Sequence, residues 1–303
     1  MRSASRAAML LGATLLAVAS VQASNCIPDV PAPVPQVRPA ELKAAGLRIG
    51  LALGSGSLHG LAHVGVLEAI EEAGLPVRVV AGTSAGALAG ALWASGLPAR
   101  QIAAIAQSRE LESLRGFALA DGLMTNEPLR ARLAEIFGSR PIESWPVRFG
   151  AVATNVDNGH ARILMSGSGA VAVQASSASP VIFAPVVVDG ERLADGALVA
   201  PVPVDAARAM GADFVIAVDV AYRPYEEPSR GIVQSGFQAM NILLNNLGAA
   251  QAREADVSIR LDVHETLVRC GPGAVIALGR DAARRALPEI ARLARLRTAT
   301  AGR

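Results

Sequence analysis

One serine sits among glycines in Gly82-Thr83-Ser84-Ala85-Gly86, which fits the pattern G-x-S-x-G. Such a serine occupies a strand-to-helix turn so tight that only small neighbours fit, and the turn lifts its hydroxyl clear of the sheet. It also lies at a helix N-terminus, where the dipole and free N–H groups favour negative charge. That is a setting for nucleophilic attack on an acyl group. The plainer reading is a glycine-flanked serine at an ordinary turn, and the pentapeptide alone does not separate the two. Its flanks favour the nucleophile. Residues 77–81 read as a buried strand, and residues 85–95 are small and apolar enough to pack closely on a sheet.

A second glycine turn precedes it, Gly54-Ser55-Gly56-Ser57-Leu58-His59-Gly60. A dinucleotide loop is disfavoured, because the spacing is one residue too long and no acid follows the second strand to hold a ribose. Two readings stay open: a close-packed turn, or an oxyanion hole whose small residues let backbone N–H groups approach a developing negative oxygen. Parallel β-α-β winding favours the oxyanion hole, since it sets the ends of neighbouring strands side by side. Asp195 is the third candidate. Residues 186–197 read as a hairpin turning at Asp189-Gly190, and Asp195 with Gly196 forms a second Asp-Gly pair. Strand 214–220 follows, so Asp195 is expected in a loop near the sheet.

The elements that must position these groups alternate between strand and helix. Strands are expected at 47–53, 77–81, 147–156, 161–165, 214–220 and 257–263. Helices are expected at 98–109, 126–137, 169–177, 205–210, 229–254 with a break near Gly248, and 277–297. Trp93 and Trp145 read as packing residues. The last helix is rich in arginine. It reads as a surface helix with one face on the core, the other option being a helix lying on anionic lipid.

At 303 residues and 51% hydrophobic content a sizeable core can form, and with aromatics at only 3% that core must be aliphatic. Residues 1–23 read as a signal peptide, with Arg2 and Arg6 before an apolar run and a small-residue cleavage site. Those arginines are its only charges, so losing it removes the formal net charge of +2 and any electrostatic case for nucleic acid. The expected destination is periplasmic or secreted. An uncleaved N-terminus, or lipid on Cys26, would anchor the chain to a membrane. Ala23 and Asn25 match a lipidation site poorly. Cys26 and Cys270 could instead form one disulfide. Residues 24–46 are a Pro-rich linker, 47–298 the folded domain and 299–303 a tail. The four histidines show no metal-ligand spacing, and no metal or cofactor is expected.

GSGSLHG, GTSAG and DGA stand in one order, and together they resemble the patatin-like phospholipase family. The similarity runs from residue 47 to the C-terminal helix. It implies a three-layer α/β/α fold with a mainly parallel central sheet. It also implies a metal-free Ser–Asp dyad acting on acyl esters of lipids or phospholipids, with contact at a membrane surface. Ser84 would be the nucleophile and Asp195 the base. Backbone N–H groups around Ser55, Gly56 and Ser57 would form the oxyanion hole, with Gly54, His59, Gly60, Gly82, Gly86 and Gly196 supporting the turns. The family usually carries more glycine where Ser55 and Ser57 stand, and Arg or Lys where His59 stands. Two alternatives are kept: an α/β-hydrolase triad of Ser84, Asp195 or Asp219, and His264, or a lipid-binding protein of the same fold without turnover. The oligomeric state is left open.

Overall fold

The computed structural model describes residues 47–108, 118–120, 123–180, 182–220 and 231–301. Cys26, the expected signal peptide and linker, and the possible Cys26–Cys270 disulfide lie outside the described residues.

The first half contains β1 (Ile49–Leu53), a 3-10 turn (Ser57–Gly60), α1 (Leu61–Glu72), β2 (Val77–Thr83), α2 (Ala85–Ala94) and α3 (Ala99–Gln107). A small hairpin, β3 (Ala118–Ala120) and β4 (Leu123–Thr125), precedes α4 (Glu127–Phe137). Then come β5 (Arg148–Asn155), β6 (Ala161–Leu164), α5 (Gly169–Ser176), β7 (Val186–Val188), β8 (Glu191–Asp195), α6 (Val204–Ala209) and β9 (Phe214–Asp219). The chain finishes with α7 (Ile232–Arg253), β10 (Val257–Arg260), α8 (His264–Cys270) and α9 (Pro272–Ala301).

One eight-stranded sheet runs in the order β10-β9-β1-β2-β5-β8-β7, with β6 also paired to β5. Strands from β10 to β5 are parallel, and β6, β7 and β8 add antiparallel pairs. The central strands are buried on both faces, as their unbroken apolar runs require. Ile49, Leu51 and Leu53 face a core shared with α1, α2 and α9. Ala52, Val79 and Ala81 face a smaller core with α6. This is the expected three-layer α/β/α arrangement.

Helix α9 lies against α1 with almost no side chain between them. A Cβ on Gly65 would strike the Ile276 carbonyl, and one on Gly279 would strike the Ala62 carbonyl. Arg280 pairs with Glu68 and Arg284 with Glu72 along the same seam. The arginine-rich helix is therefore docked by one face, and these charges take partners within the fold. It begins at Pro272 and runs through Pro288 to Ala301, longer than the expected 277–297.

Two further expectations shift. Helix α7 continues through Gly248, which packs on Pro201 and Val202. The expected strand 257–263 stops at Arg260, because its partner β9 ends at Asp219 and the ladder has nothing further to pair with. Trp145 packs between Phe137 and Phe149, as a core residue.

Candidate active site

Ser84 joins β2 to α2 with φ 53 and ψ −117, a conformation that non-glycine residues seldom adopt. The bend is enforced from both sides. A Cβ on Gly82 would press on the Gly86 carbonyl and Ala87, and one on Gly86 would overlap the Leu53 carbonyl. The Ser84 N–H donates to Ser176 Oγ at 3.0 Å, and Ser176 donates in turn to the Val152 carbonyl at 2.6 Å. Thr83, one residue earlier, donates to the Ala200 carbonyl at 2.7 Å. The elbow is thus tied both to the strand beside it and to the loop beyond β8.

Asp195 ends β8 and is buried. Its Oδ1 accepts the Ala197 N–H at 2.9 Å, and its Oδ2 accepts the Ser179 hydroxyl at 2.8 Å. The Ser84 side chain lies near enough to the same carboxylate to help lower its pKa. Burial pushes the carboxyl above the usual range, and the three donors pull against that rise. Gly196 is required next to it, since a Cβ there would overlap the Val152 carbonyl. The two residues that sequence reading paired are therefore brought close together, although one follows β2 and the other ends β8.

The glycine loop is fixed by partners from the far end of the chain. The Gly54 N–H donates to the Val218 carbonyl at 2.9 Å and the Ser55 N–H to the Pro201 carbonyl at 2.8 Å. This corrects the expected donor set, because the Ser55 N–H is already engaged. The N–H groups of Gly56 and Ser57 have no protein partner among the described residues. Ser57 adopts φ 49 and lines the same cavity as Ser84. Gly56 sits so close to Val220 that a side chain would collide with it. Gly60 leaves room for Ala85 at the start of α2.

His59 does not reach the cavity. It is buried, with Nε2 3.2 Å from His264 Nδ1 and the two rings edge to face. Burial first, then the neighbouring imidazole, lowers its pKa, while Asp262 opposes the change. A charge standing in for the family's Arg or Lys is therefore disfavoured at this position. His264 belongs to this pair.

Sequence reading missed three supporting residues. Ser176 and Ser179 flank the Ser-Ala step of residues 175–180, where the run of serines was the available signal. His63 on α1 is fully buried, and its Nε2 donates to the Gly54 carbonyl at 2.7 Å. Burial lowers its pKa to about 4, so it is neutral at pH 7. Its Nδ1 has no partner among the described residues. It turns the Gly54 carbonyl towards α1 and so fixes where the loop begins.

A cavity of about 340 Å³ opens beside these groups. Ser57, Ser84, Ser177 and Ser179 line it, with Leu88 and Leu92 of α2, Ile102 and Ile105 of α3, and Leu129 of α4 supplying apolar walls. The arrangement suits a polar reacting centre joined to an apolar chain. Among the described residues no helix is long and apolar enough to cross a membrane.

A family model described as patatin-like phospholipase matches residues 51–208. An uncharacterised NTE family protein of Mycobacterium bovis is 35% identical over 188 residues, covering 60% of this chain and 52% of its own length. A lysophospholipase NTE1 of Coccidioides immitis is 32% identical over 208 residues, covering 65% of this chain and 13% of its own length. The chain thus spans about half the length of the mycobacterial relatives it matches. Among solved structures, VipD from Legionella pneumophila aligns with a TM-score of 0.45 at 16% identity, over 80% of this chain and 67% of its own.

Proposed function

The chain belongs to the patatin-like phospholipase family, and we propose on that footing that it is a serine acyl hydrolase. It cleaves acyl esters of phospholipids or lysophospholipids with Ser84 as nucleophile and Asp195 as base. The observation that carries this reading is the placing of the Ser84 side chain beside a buried Asp195 carboxylate, whose pKa it helps to lower. No imidazole stands between them, which favours the dyad over a triad through His264.

Ser84 Oγ attacks the acyl carbonyl carbon while its proton passes to Asp195. An ordinary aspartate, with a pKa of about 3.9, is a weak base near neutral pH, and burial makes this one stronger. The tetrahedral oxygen takes hydrogen bonds from the Gly56 and Ser57 N–H groups. One donor of this kind is typically worth about 2.7–4 kcal/mol. Collapse expels the alcohol, which leaves with the proton from Asp195. Water then attacks the acyl-enzyme while giving a proton to Asp195, and collapse of that intermediate frees the fatty acid and Ser84, whose oxygen takes the proton back from Asp195.

The reading is tested with an alkyl fluorophosphonate and with fatty-acid release from lysophospholipid micelles and phospholipid vesicles. The expected result is one phosphonate on the peptide containing Ser84, and release that stops when it forms. Adduct elsewhere, or release that survives full modification of Ser84, contradicts the assignment. No adduct and no release from folded protein would favour a lipid-binding role.

The apolar cavity receives the acyl chain. Ala106→Phe fills its wall from α3. It should lower kcat/KM for a palmitoyl ester on the order of tenfold or more, with a small effect on a butyryl ester. Equal losses on both esters would place the chain elsewhere. Export to the periplasm or medium, with residues 47–298 as the catalytic domain, completes the proposal. It rests on the basic and apolar pattern of residues 1–23.

A further inference from the structure

Asp195 carries a buried carboxylate with no cation beside it among the described residues, so its charge depends on hydrogen-bond donors. The Ala197 N–H is a backbone group fixed by the turn after β8. Ser84 is the reacting group, and its proton is the one transferred. That leaves Ser179 as the side chain that holds the carboxylate without taking part in bond making. Its hydroxyl is 2.8 Å from Oδ2. Its carbonyl accepts the N–H groups of Ile182 and Phe183, so the residue is fixed at both ends within the cavity wall.

We propose that Ser179 is a positioning residue for the Ser84–Asp195 pair: its hydroxyl holds Oδ2 so that the carboxylate keeps the orientation and charge state that accepts the Ser84 proton. The proposal rests on the dyad reading above. The physical basis is an asymmetry between the two states of Asp195. A hydroxyl donating to an ionised oxygen forms a charge-assisted bond, roughly twice as strong as one to a neutral acceptor. Ser179 therefore stabilises the base before proton transfer more than the acid after it. Removing the hydroxyl leaves burial less opposed, so Asp195 binds its proton at higher pH.

The test is the pH profile of kcat/KM on a soluble short-chain ester, for wild type, Ser179→Ala, Ser179→Thr, Ser177→Ala and Asp195→Asn. The expected result for Ser179→Ala is an acid limb displaced upward on the order of one pH unit, with a smaller loss on the alkaline plateau. Thr keeps a hydroxyl and restores the limb. Ser177 lines the same wall without bonding Asp195, so its alanine variant leaves the limb in place. If Ser179→Ala does not fold, Ser179→Cys gives the same direction, being similar in shape and a weaker donor. An acid limb that stays put in the variants lacking the hydroxyl, while Asp195→Asn abolishes turnover, overturns the Ser179 role alone. So does a loss of plateau rate with no shift of the limb. Turnover that survives Asp195→Asn overturns the dyad, and this role with it.

Discussion

Ser84→Ala is expected to lower acyl-ester turnover on the order of 10⁴-fold or more, and Asp195→Asn by about 10³- to 10⁴-fold. The double variant should lose little beyond Ser84→Ala, because two groups that act in one proton transfer do not contribute additively. Steady-state rates on one ester, with circular dichroism to confirm folding, check both statements. Additive losses would mean that Asp195 serves some other step. The same aspartate has a second, opposite effect. Burial raises its folded-state pKa above the unfolded value. Between those two values the folded protein holds more protons than the unfolded one. Stability therefore falls as pH rises through that window and stays lower above it. Asn has no charge to bury and keeps an oxygen for the Ala197 N–H. Asp195→Asn is thus expected to melt at higher temperature than wild type at pH 8, with the gap closing at acid pH. Thermal melts at both ends of the range read this directly.

Gly65→Leu is expected to prevent folding, and Gly65→Ala to lower stability by more than about 4 kcal/mol. The cause is backbone contact. Any Cβ at position 65 meets the Ile276 carbonyl and the Arg280 N–H, neither of which can rotate away. Separating α9 from α1 opens the apolar seam and parts Arg280 from Glu68. Gly236 in α7 is the contrasting case. Nothing stands within 4 Å of a Cβ there and its φ is ordinary. Gly236→Ala should stabilise by about 0.5–1 kcal/mol through helix propensity. Urea denaturation of the two alanine variants separates the effects. Similar, small changes in both would show that α1 and α9 part at little cost.

The legible parts of this protein were those whose physics is local. Residues 77–81 are an apolar run stopped by glycine, and they form β2 with the elbow directly after it. Asp189-Gly190 turns a hairpin through a positive φ at both residues, as that dipeptide suggests. Asp195 was found through its place next to Gly196 and the family pattern. What escaped depends on partners distant in sequence. Nothing near Ser55 reveals that its N–H is taken by Pro201. His59 gave no sign that it would turn away from the cavity to meet His264. Ser179 looked like one serine among several until Asp195 stood beside it. Gly248 was read as a helix breaker because local propensity says so, and packing on Pro201 and Val202 overrules it.

The place of β1 governs when the candidate site can assemble. This strand lies between β2, which follows it closely, and β9, which is made from residues 214–219. Gly54 and Ser55 are held by Val218 and Pro201, and Ser84 meets its carboxylate only after residue 195. A chain still being synthesised carries its serine elbow early but has neither a fixed glycine loop nor Asp195 beside the serine. Contacts this far apart in sequence form late and together. On the proposed dyad, the site is therefore completed in one step, when β9 inserts beside β1, and a chain ending before that strand has the serine elbow without the assembled site.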